Sequence, residues 1–426
     1  MTRLPRAVYI LQAGLLVNAF GNGAANPFLL LYLHDVRGIP LGLAGLVAAT
    51  NACTALVTAL IAGSLADRRG AVGTMAAGLA FSSTAFVLFP LVDVAWQAFP
   101  PAVLAGIGGG TWLTLQPSVV AAVTPREVRH LAFAQQRVVA NVGLGLGGLI
   151  GGLIVTVSEP ETFTTLFLLD AVTFLVYGAV LLVGVRIPRT APVPHAPRSG
   201  YRAVARDGAF VRLAALNFLF VAAVVSLLNS AFPVFARNEA GLSEDTIGAL
   251  FLLNSATIIV FQLPTARAVE GHRRMRGLVL MGLLFALCWS FVLAGALTGP
   301  ALLLVAAGIV AMSFGECLYD SIQGPLMADL APPALLSRYM AVAGFSWQLG
   351  FIVGPAAAGL ILGAEPYALW PVMSTLCVAG AVYALVLEPA LPPGVRVTTR
   401  SGAPDGEART GRRTAVPRVG AALRRR

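Results

Sequence analysis

The sequence has 426 residues, is 57% hydrophobic and carries only 11% charged residues, where a typical soluble domain carries about a quarter. That deficit excludes an ordinary soluble globular protein and leads us to expect a chain that crosses a bilayer many times. The net charge of +10 rests on 29 basic residues, all of them arginine. They cluster between apolar runs and in the C-terminal stretch, the pattern of cytoplasmic loops and not of a nucleic-acid surface.

Arg3 and Arg6 precede an apolar run from Val8 to Leu33. It is too long for the core of a cleaved leader and long enough to span, so it is expected to be the first retained helix. A span needs roughly 20 mostly apolar residues. Eleven more runs qualify, at 43–65, 73–92, 97–123, 131–156, 162–185, 210–235, 246–266, 277–298, 300–328, 339–363 and 367–388. Gly and Pro inside them do not argue against helix, because membrane helices tolerate both. The Pro- and Arg-rich stretch 186–209 divides the runs six and six and reads as a linker. The polar, basic stretch 391–426 reads as a disordered tail. The expected fold is an all-α membrane protein of twelve transmembrane helices in two halves. Its parts are an N-terminal half at 1–185, a cytoplasmic linker at 186–209, a C-terminal half at 210–390 and a cytoplasmic tail at 391–426.

With both termini in the cytoplasm, only Arg37 and Arg237 fall in outer loops, together with acids such as Glu159, Glu161, Glu239, Glu244 and Asp245. The reverse orientation would put nearly every arginine outside, so both termini are expected inside. An internal repeat supports the division. Gly38 and Gly241 lie 203 positions apart, as do Gly45 and Gly248, Asn51 and Asn254, Asp67 and Glu270, Gly147 and Gly350, and Gly151 and Gly354. Duplicated halves are a common way to build a transporter. Cys53, Cys288, Cys317 and Cys377 lie in apolar runs without CxxC spacing, and read as buried free thiols. The four histidines are scattered, and no metal site is expected.

Residues 63–70 read GSLADRRG. The stretch resembles the signature loop of the major facilitator superfamily, G-x-L-x-D-R-x-G-R-[R/K]. Gly63, Leu65, Asp67, Arg68 and Gly70 match, while Ala71 and Val72 stand where the family has basic residues. GFIVGPAAAG at 350–359 is similar to a glycine–proline motif of these carriers, with Gly350, Gly354 and Pro355 in place. NVGLGLGGLIGG at 141–152, with Gly147 and Gly151, is its looser partner. The stretch GECLYDSIQGPLMADLAPPALLSRYM resembles the tenth helix of proton-driven multidrug efflux members. Leu104 stands where drug antiporters carry an arginine. The resemblance implies alternating access around a central cavity lined by the first, fourth, seventh and tenth helices. It also implies that Asp67, at the cytoplasmic end of the second helix, meets the N-terminus of the eleventh, whose partial positive charge suits a carboxylate. That contact would hold the cytoplasmic side closed, with Gly63 allowing the close approach. The alternative is that Asp67, Arg68 and Arg69 only make a polar turn.

Ionisable groups at mid-bilayer are functional candidates by default. Asp170, Glu316 and Asp320 qualify. Glu316, Asp320 and Gln323 follow i, i+4, i+7 spacing and share one face of the tenth helix. Mutual repulsion and burial both favour a proton on such a pair, which suits a coupling site; a satisfied polar cluster is the alternative. Asp170, in a helix the family uses as support, reads as structural first and as a coupling candidate second. Asn18, Asn22 and Asn26 form a stripe on the first helix, and Trp112 and Gln116, Asn229 and Tyr319 fall on the fourth, seventh and tenth. Each is either cavity lining or an interhelical hydrogen bond. Arg137 reads as a residue snorkelling to the interface.

The expected function is export of amphipathic, drug-like, neutral or cationic small molecules by proton antiport. A cavity without Arg or Lys argues against anionic substrates. The proton gradient is the energy source and no cofactor is expected. Partners are the substrate, protons and the lipid bilayer, with no nucleic acid, and the expected state is a monomer. The location is the cell inner (cytoplasmic) membrane, multi-pass. Alternatives are a uniporter, symporter or exporter of one metabolite, and, from other classes, a membrane-embedded enzyme or a receptor-like member that does not transport.

Overall fold

The computed structural model describes residues 4–125, 128–185, 200–332 and 335–398. Six long helices precede residue 186: α1 (Arg6–Leu31), α2 (Leu41–Arg69), α3 (Ala71–Leu88), α4 (Phe99–Val123), α5 (Arg129–Ile154) and α6 (Pro160–Gly184). After a short helix at Gly200–Arg206 come six more. These are α7 (Gly208–Phe220 with its continuations), α8 (Glu244–Ala268), α9 (Arg274–Leu297), α10 (Ala301–Leu330), α11 (Leu336–Ala364) and α12 (Leu369–Leu387). Ten of the twelve are long and apolar enough to cross a membrane by length and composition. The other two, α1 and α4, are long enough but diluted, α1 by Gln12 and its three asparagines and α4 by Gly106, Gly108, Gly109 and Gly110.

Two local features depart from the expected boundaries. The stretch 66–72 is not a loop. α2 runs through Arg69, Gly70 alone turns the chain at φ +93°, and α3 starts at Ala71. α7 is not continuous. A π-turn at Val221–Val225 and one turn at Ser226–Leu228 lead to a break at Asn229 and Ser230, after which Ala231–Asn238 resumes. Pro233 explains the break, because its ring would collide with the carbonyl four residues earlier, that of Asn229.

The two sets of six helices repeat one pattern of neighbours. α1 lies on α5 and α6, α2 on α4, and α3 on α4 and α6. α7 lies on α11 and α12, α8 on α10, and α9 on α10 and α12. Gly38 and Gly241 share a left-handed conformation, φ +66° and +64°. Glycines set the closest approaches. A Cβ on Gly147 or Gly151 would run into the backbone of α1 at Phe20 or Ala24, and one on Gly350 or Gly354 would strike α7 at Val221 or at Ala222 and Ser226. Small residues that bring backbones together are the usual contact in lipid, where tails are as apolar as leucine.

Across the halves, α2 meets α11 and α5 meets α8. Both contacts lie toward the end opposite the chain termini. Gly45 faces the Pro355 carbonyl and Gly359, and Gly248 faces Gly148 and Gly152. An ionic cluster closes that end: Arg237 pairs with Asp35 at 3.6 Å and with Glu244 at 2.9 Å, and Asn238 donates to Asp35 at 3.1 Å. Toward the terminal end α2 and α11 part below the Gln348-to-Ala52 hydrogen bond, and a Cβ on Gly63 or Gly344 would meet nothing within 4 Å. The bundle is therefore shut at the far end and splayed at the terminal end.

The expected tail begins late. Leu391–Thr398 folds back along the α8–α9 connection, with Arg274 N–H donating to the Arg396 carbonyl (2.8 Å) and Thr398 N–H to that of His272 (3.0 Å). Backbone pairing with an exposed turn holds this stretch despite its polar composition. Most of the expected linker, 186–199, and the remaining tail, 399–426, lie outside the described residues. Cys288, Cys317 and Cys377 are buried free thiols, whereas Cys53 is exposed on α2.

In the orientation expected from the arginine bias, the splayed end would face the cytoplasm. A reporter active only in the cytoplasm should work when fused after Gly70, within 190–200 or at the C-terminus, and be silent near Pro160 or Gly241. Cytoplasmic activity at Gly241 would reverse the topology.

Candidate functional site

Between the halves lies a cavity of about 480 Å³, reached by side chains of both. Its chemistry is concentrated on α10, where Glu316, Tyr319 and Asp320 fall on one helical face by i, i+3, i+4 spacing and line the space. Glu316 Oε2 accepts a hydrogen bond from Asn254 Nδ2 of α8 at 2.8 Å, and the same amide donates to Ser313 Oγ at 3.0 Å. One amide carries two N–H donors, so Asn254 ties α8 to both Glu316 and Ser313 of α10. Asp320 pairs with Arg137 of α5, an ion pair that joins one half to the other. Its side chain is 17% exposed, that of Arg137 50%. Tyr319 O–H donates to Asn217 Oδ1. The Tyr319 ring lies 5.7 Å from Trp347, which lies 5.5 Å from Phe351, forming an aromatic shelf.

The first half supplies amides. Asn26 Nδ2 donates to Asn22 Oδ1 at 2.7 Å, and Asn22 Nδ2 to the Asn18 carbonyl at 3.1 Å, so the stripe on α1 is a ladder along the helix. Asn22, Asn26, Asn51 and Asn141 reach the cavity, as does Asn229 from the break in α7. Charge, amides and an aromatic shelf in one space suit a molecule with a polar end and an apolar body. Pro355 contributes a wall where α11 meets α2.

Several expected lining residues lie elsewhere. Gln116 is buried and accepts from Tyr177 O–H at 2.6 Å, tying α4 to α6. Trp112 sits against the core. Asn18 and Gln323 are buried, with Asn18 Nδ2 and both Gln323 polar atoms lacking a protein partner. Asp170 is fully buried beside α1, with Thr173 Oγ1 donating to it at 3.0 Å; a Cβ on Gly21 would strike it. None of these five lines the cavity. Conversely, Arg137 was expected to snorkel and instead faces the cavity, because its long side chain finds Asp320 across the interface. The premise of a cavity without Arg is corrected, although its one arginine is matched by a carboxylate. Asn51 and Asn254 were visible only as a repeat pair, and that pairing was the available signal, since both line the cavity. Among the described residues no cluster of His, Cys, Asp or Glu could hold a metal ion.

Asp67 does not meet α11 in this conformation. It is exposed on the last turns of α2, with no hydrogen bond or ion pair among the described residues, and a Cβ on Gly63 would meet nothing within 4 Å. The splaying of the terminal end is the reason. A closing contact between Asp67 and α11 would need the terminal end to come together. Asp67→Asn is expected to leave insertion and melting temperature unchanged here while slowing transport strongly; Glu270→Gln should be milder. Wild-type rates in the Asp67→Asn protein would reduce the stretch to a turn.

A family model for the Major Facilitator Superfamily matches residues 13–243 and again 214–426. The multidrug resistance protein MdtH of Aeromonas hydrophila is 23% identical over 355 residues, 82% of this chain and 87% of that protein. YhjO of Bacillus subtilis, an uncharacterized MFS-type transporter, is 25% identical over 352 residues, 82% of this chain and 84% of that one. Among solved structures, the nucleoside transporter NupG superposes with a TM-score of 0.77 at 12% identity, over 90% of this chain and all of that one. An auto-inhibited POT family peptide transporter gives 0.74 at 14% identity, over 94% and 99%. At such identities the structural likeness speaks to fold alone.

Proposed function

Given that the chain belongs to the major facilitator superfamily and is a multi-pass membrane transporter of small molecules, we propose that it exports amphipathic neutral or cationic compounds in exchange for protons. The observation that carries this reading is the placement of Glu316 and Asp320 on the wall of the shared cavity, with only Asp320 matched by an arginine. An ionised Glu316 leaves the cavity one negative charge in excess, which attracts a cation; a protonated Glu316 leaves it neutral. Proton and substrate thereby compete for one carboxylate.

In the splayed conformation an amphipathic molecule enters from the terminal side, its apolar body against Tyr319, Trp347 and Phe351 and its polar end toward Glu316. Its arrival displaces the proton. Closing the terminal end and opening the Asp35–Arg237–Glu244 cluster exposes the cavity to the outside, where the substrate leaves and a proton returns to Glu316. The resemblance of the tenth helix to drug-efflux members and the MdtH relative support the direction. The protein would work in the inner membrane as a monomer, with both termini cytoplasmic.

The test is an accumulation panel in efflux-deficient cells expressing the chain. Cationic and neutral amphiphiles should accumulate less than in control cells, and a proton uncoupler should erase the difference. Efflux unaffected by the uncoupler, or confined to anionic compounds, would overturn the reading.

A further inference from the structure

We propose that a pocket at the terminal end of α8, α9 and α10, separate from the transport cavity, binds one anionic phospholipid taken from the surrounding bilayer. The pocket measures about 630 Å³. Its mouth is basic, formed by His272, Arg273, Arg274 and Arg276 with Thr398, and its depth is apolar, lined by Leu280, Leu284, Phe314, Leu318 and Ile322. A phosphate at the mouth and an acyl chain along the helices would match these two parts.

Three observations point to an absent ligand. First, Arg274 is only 4% exposed, and it pairs with Asp329 through Nη2 at 2.6 Å, yet its Nε and Nη1 are buried without a protein partner. Thr398 Oγ1, on the other side of the mouth, is also buried and unpartnered. Buried donors left unmatched are costly and uncommon, so the cluster calls for an acceptor. Second, Arg273 pairs with Glu388 at 2.8 Å, but Arg276 is exposed and has no ion pair among the described residues. α9 also begins here; its Arg274 amide is already given to the Arg396 carbonyl, and the helix N-terminus adds a partial positive charge that favours an anion. Third, the mouth is built, not incidental. The segment up to Thr398 is held across it by three backbone hydrogen bonds, from Gly271 to Thr398, from Thr398 to His272 and from Arg274 to Arg396.

The apolar depth decides between occupants. A free phosphate has no use for five apolar side chains, whereas a lipid does. Leu280, Leu283 and Leu287 are 50%, 48% and 41% exposed at i, i+3, i+7 spacing, so the pocket wall continues into a stripe of α9 that faces lipid. Anionic lipid is drawn to basic pockets on the cytoplasmic face, the side the arginine bias gives to this end.

The test uses the full chain, purified and stripped of lipid in detergent. Phosphatidylglycerol, phosphatidylcholine of the same chain length and inorganic phosphate are titrated separately, followed by native mass spectrometry and by melting temperature. One phosphatidylglycerol per chain should be retained and raise the melting temperature, with phosphatidylcholine about fivefold weaker, as expected for a single lost charge interaction. Arg276→Gln should weaken phosphatidylglycerol by about fivefold. Leu280→Trp, at an exposed site that a folded protein tolerates, should obstruct the chain and weaken it without altering the lipid-free melting temperature. If Arg276→Gln fails to fold, Leu280→Trp carries the test. Equal retention in wild type and folded variants, or equal affinity for the two lipids, would overturn the proposal. So would inorganic phosphate alone producing the same stabilisation, since the occupant would then be a soluble phosphate compound.

Discussion

Glu316→Gln is expected to abolish uphill, uncoupler-sensitive efflux while sparing downhill exchange. The argument is geometric. The glutamine carbonyl can still accept from Asn254 Nδ2, whose other hydrogen stays on Ser313 Oγ, so the α8–α10 contact survives. Only the exchangeable proton and its charge are lost. Downhill exchange in proteoliposomes should fall by less than about tenfold, a barrier change under about 1.4 kcal/mol. The steady-state ratio of substrate across the membrane should return to one. Substrate-induced proton release from solubilised protein should vanish with it. Release equal to wild type would move coupling to another group, and Asp170 would be the next carboxylate to test.

Arg137→Gln should cost transport about tenfold and lower the melting temperature, and Arg137→Asp combined with Asp320→Arg should restore part of both. The pair bridges the halves where α5 and α10 face each other at the cavity. Removing the guanidinium leaves a mostly buried carboxylate uncompensated. Breaking a fully buried pair costs about 3–5 kcal/mol. Here Arg137 is half in the open, and water screening brings the expected loss to about 1–2 kcal/mol. The exchange of charges tests the pairing itself: a swap no better than the single substitution would mean that the two residues act separately.

The number and order of the helices could be read from the sequence because each span must be apolar over a length that bilayer thickness dictates. The acids of α10 were legible for a related reason: a charge inside such a run stands out, and i, i+4 spacing puts both on one face. The rotation of each helix was not legible. In a bilayer the lipid-facing and core-facing sides are both apolar, so Gln116, Gln323 and Trp112 could not be aimed from their positions alone; the structure buries Gln116 and Gln323 and packs Trp112 against the core. Arg137 was missed because its partner sits in the other half, and an arginine near a helix end has a bland reading ready. The break in α7 was hidden for a different cause. Proline is ordinary in membrane helices, and only the geometry around Asn229 shows that Pro233 interrupts this one.

In the alternation of ends proposed above, the glycine contact between α2 and α11 would be the fulcrum. From Gly45 to Gly70 is 25 residues of nearly unbroken helix, an arm of about 37 Å at 1.5 Å per residue. A tilt of about 10° about that point would sweep the far tip by about 6 Å, enough to bring Asp67 toward α11 or carry it away. Because one residue joins α2 to α3, the tip cannot swing without dragging α3 along. Mechanical advantage then resides in residues that never touch cargo. A methyl group added at Gly45 or Gly359 would jam the bearing and leave the cavity untouched.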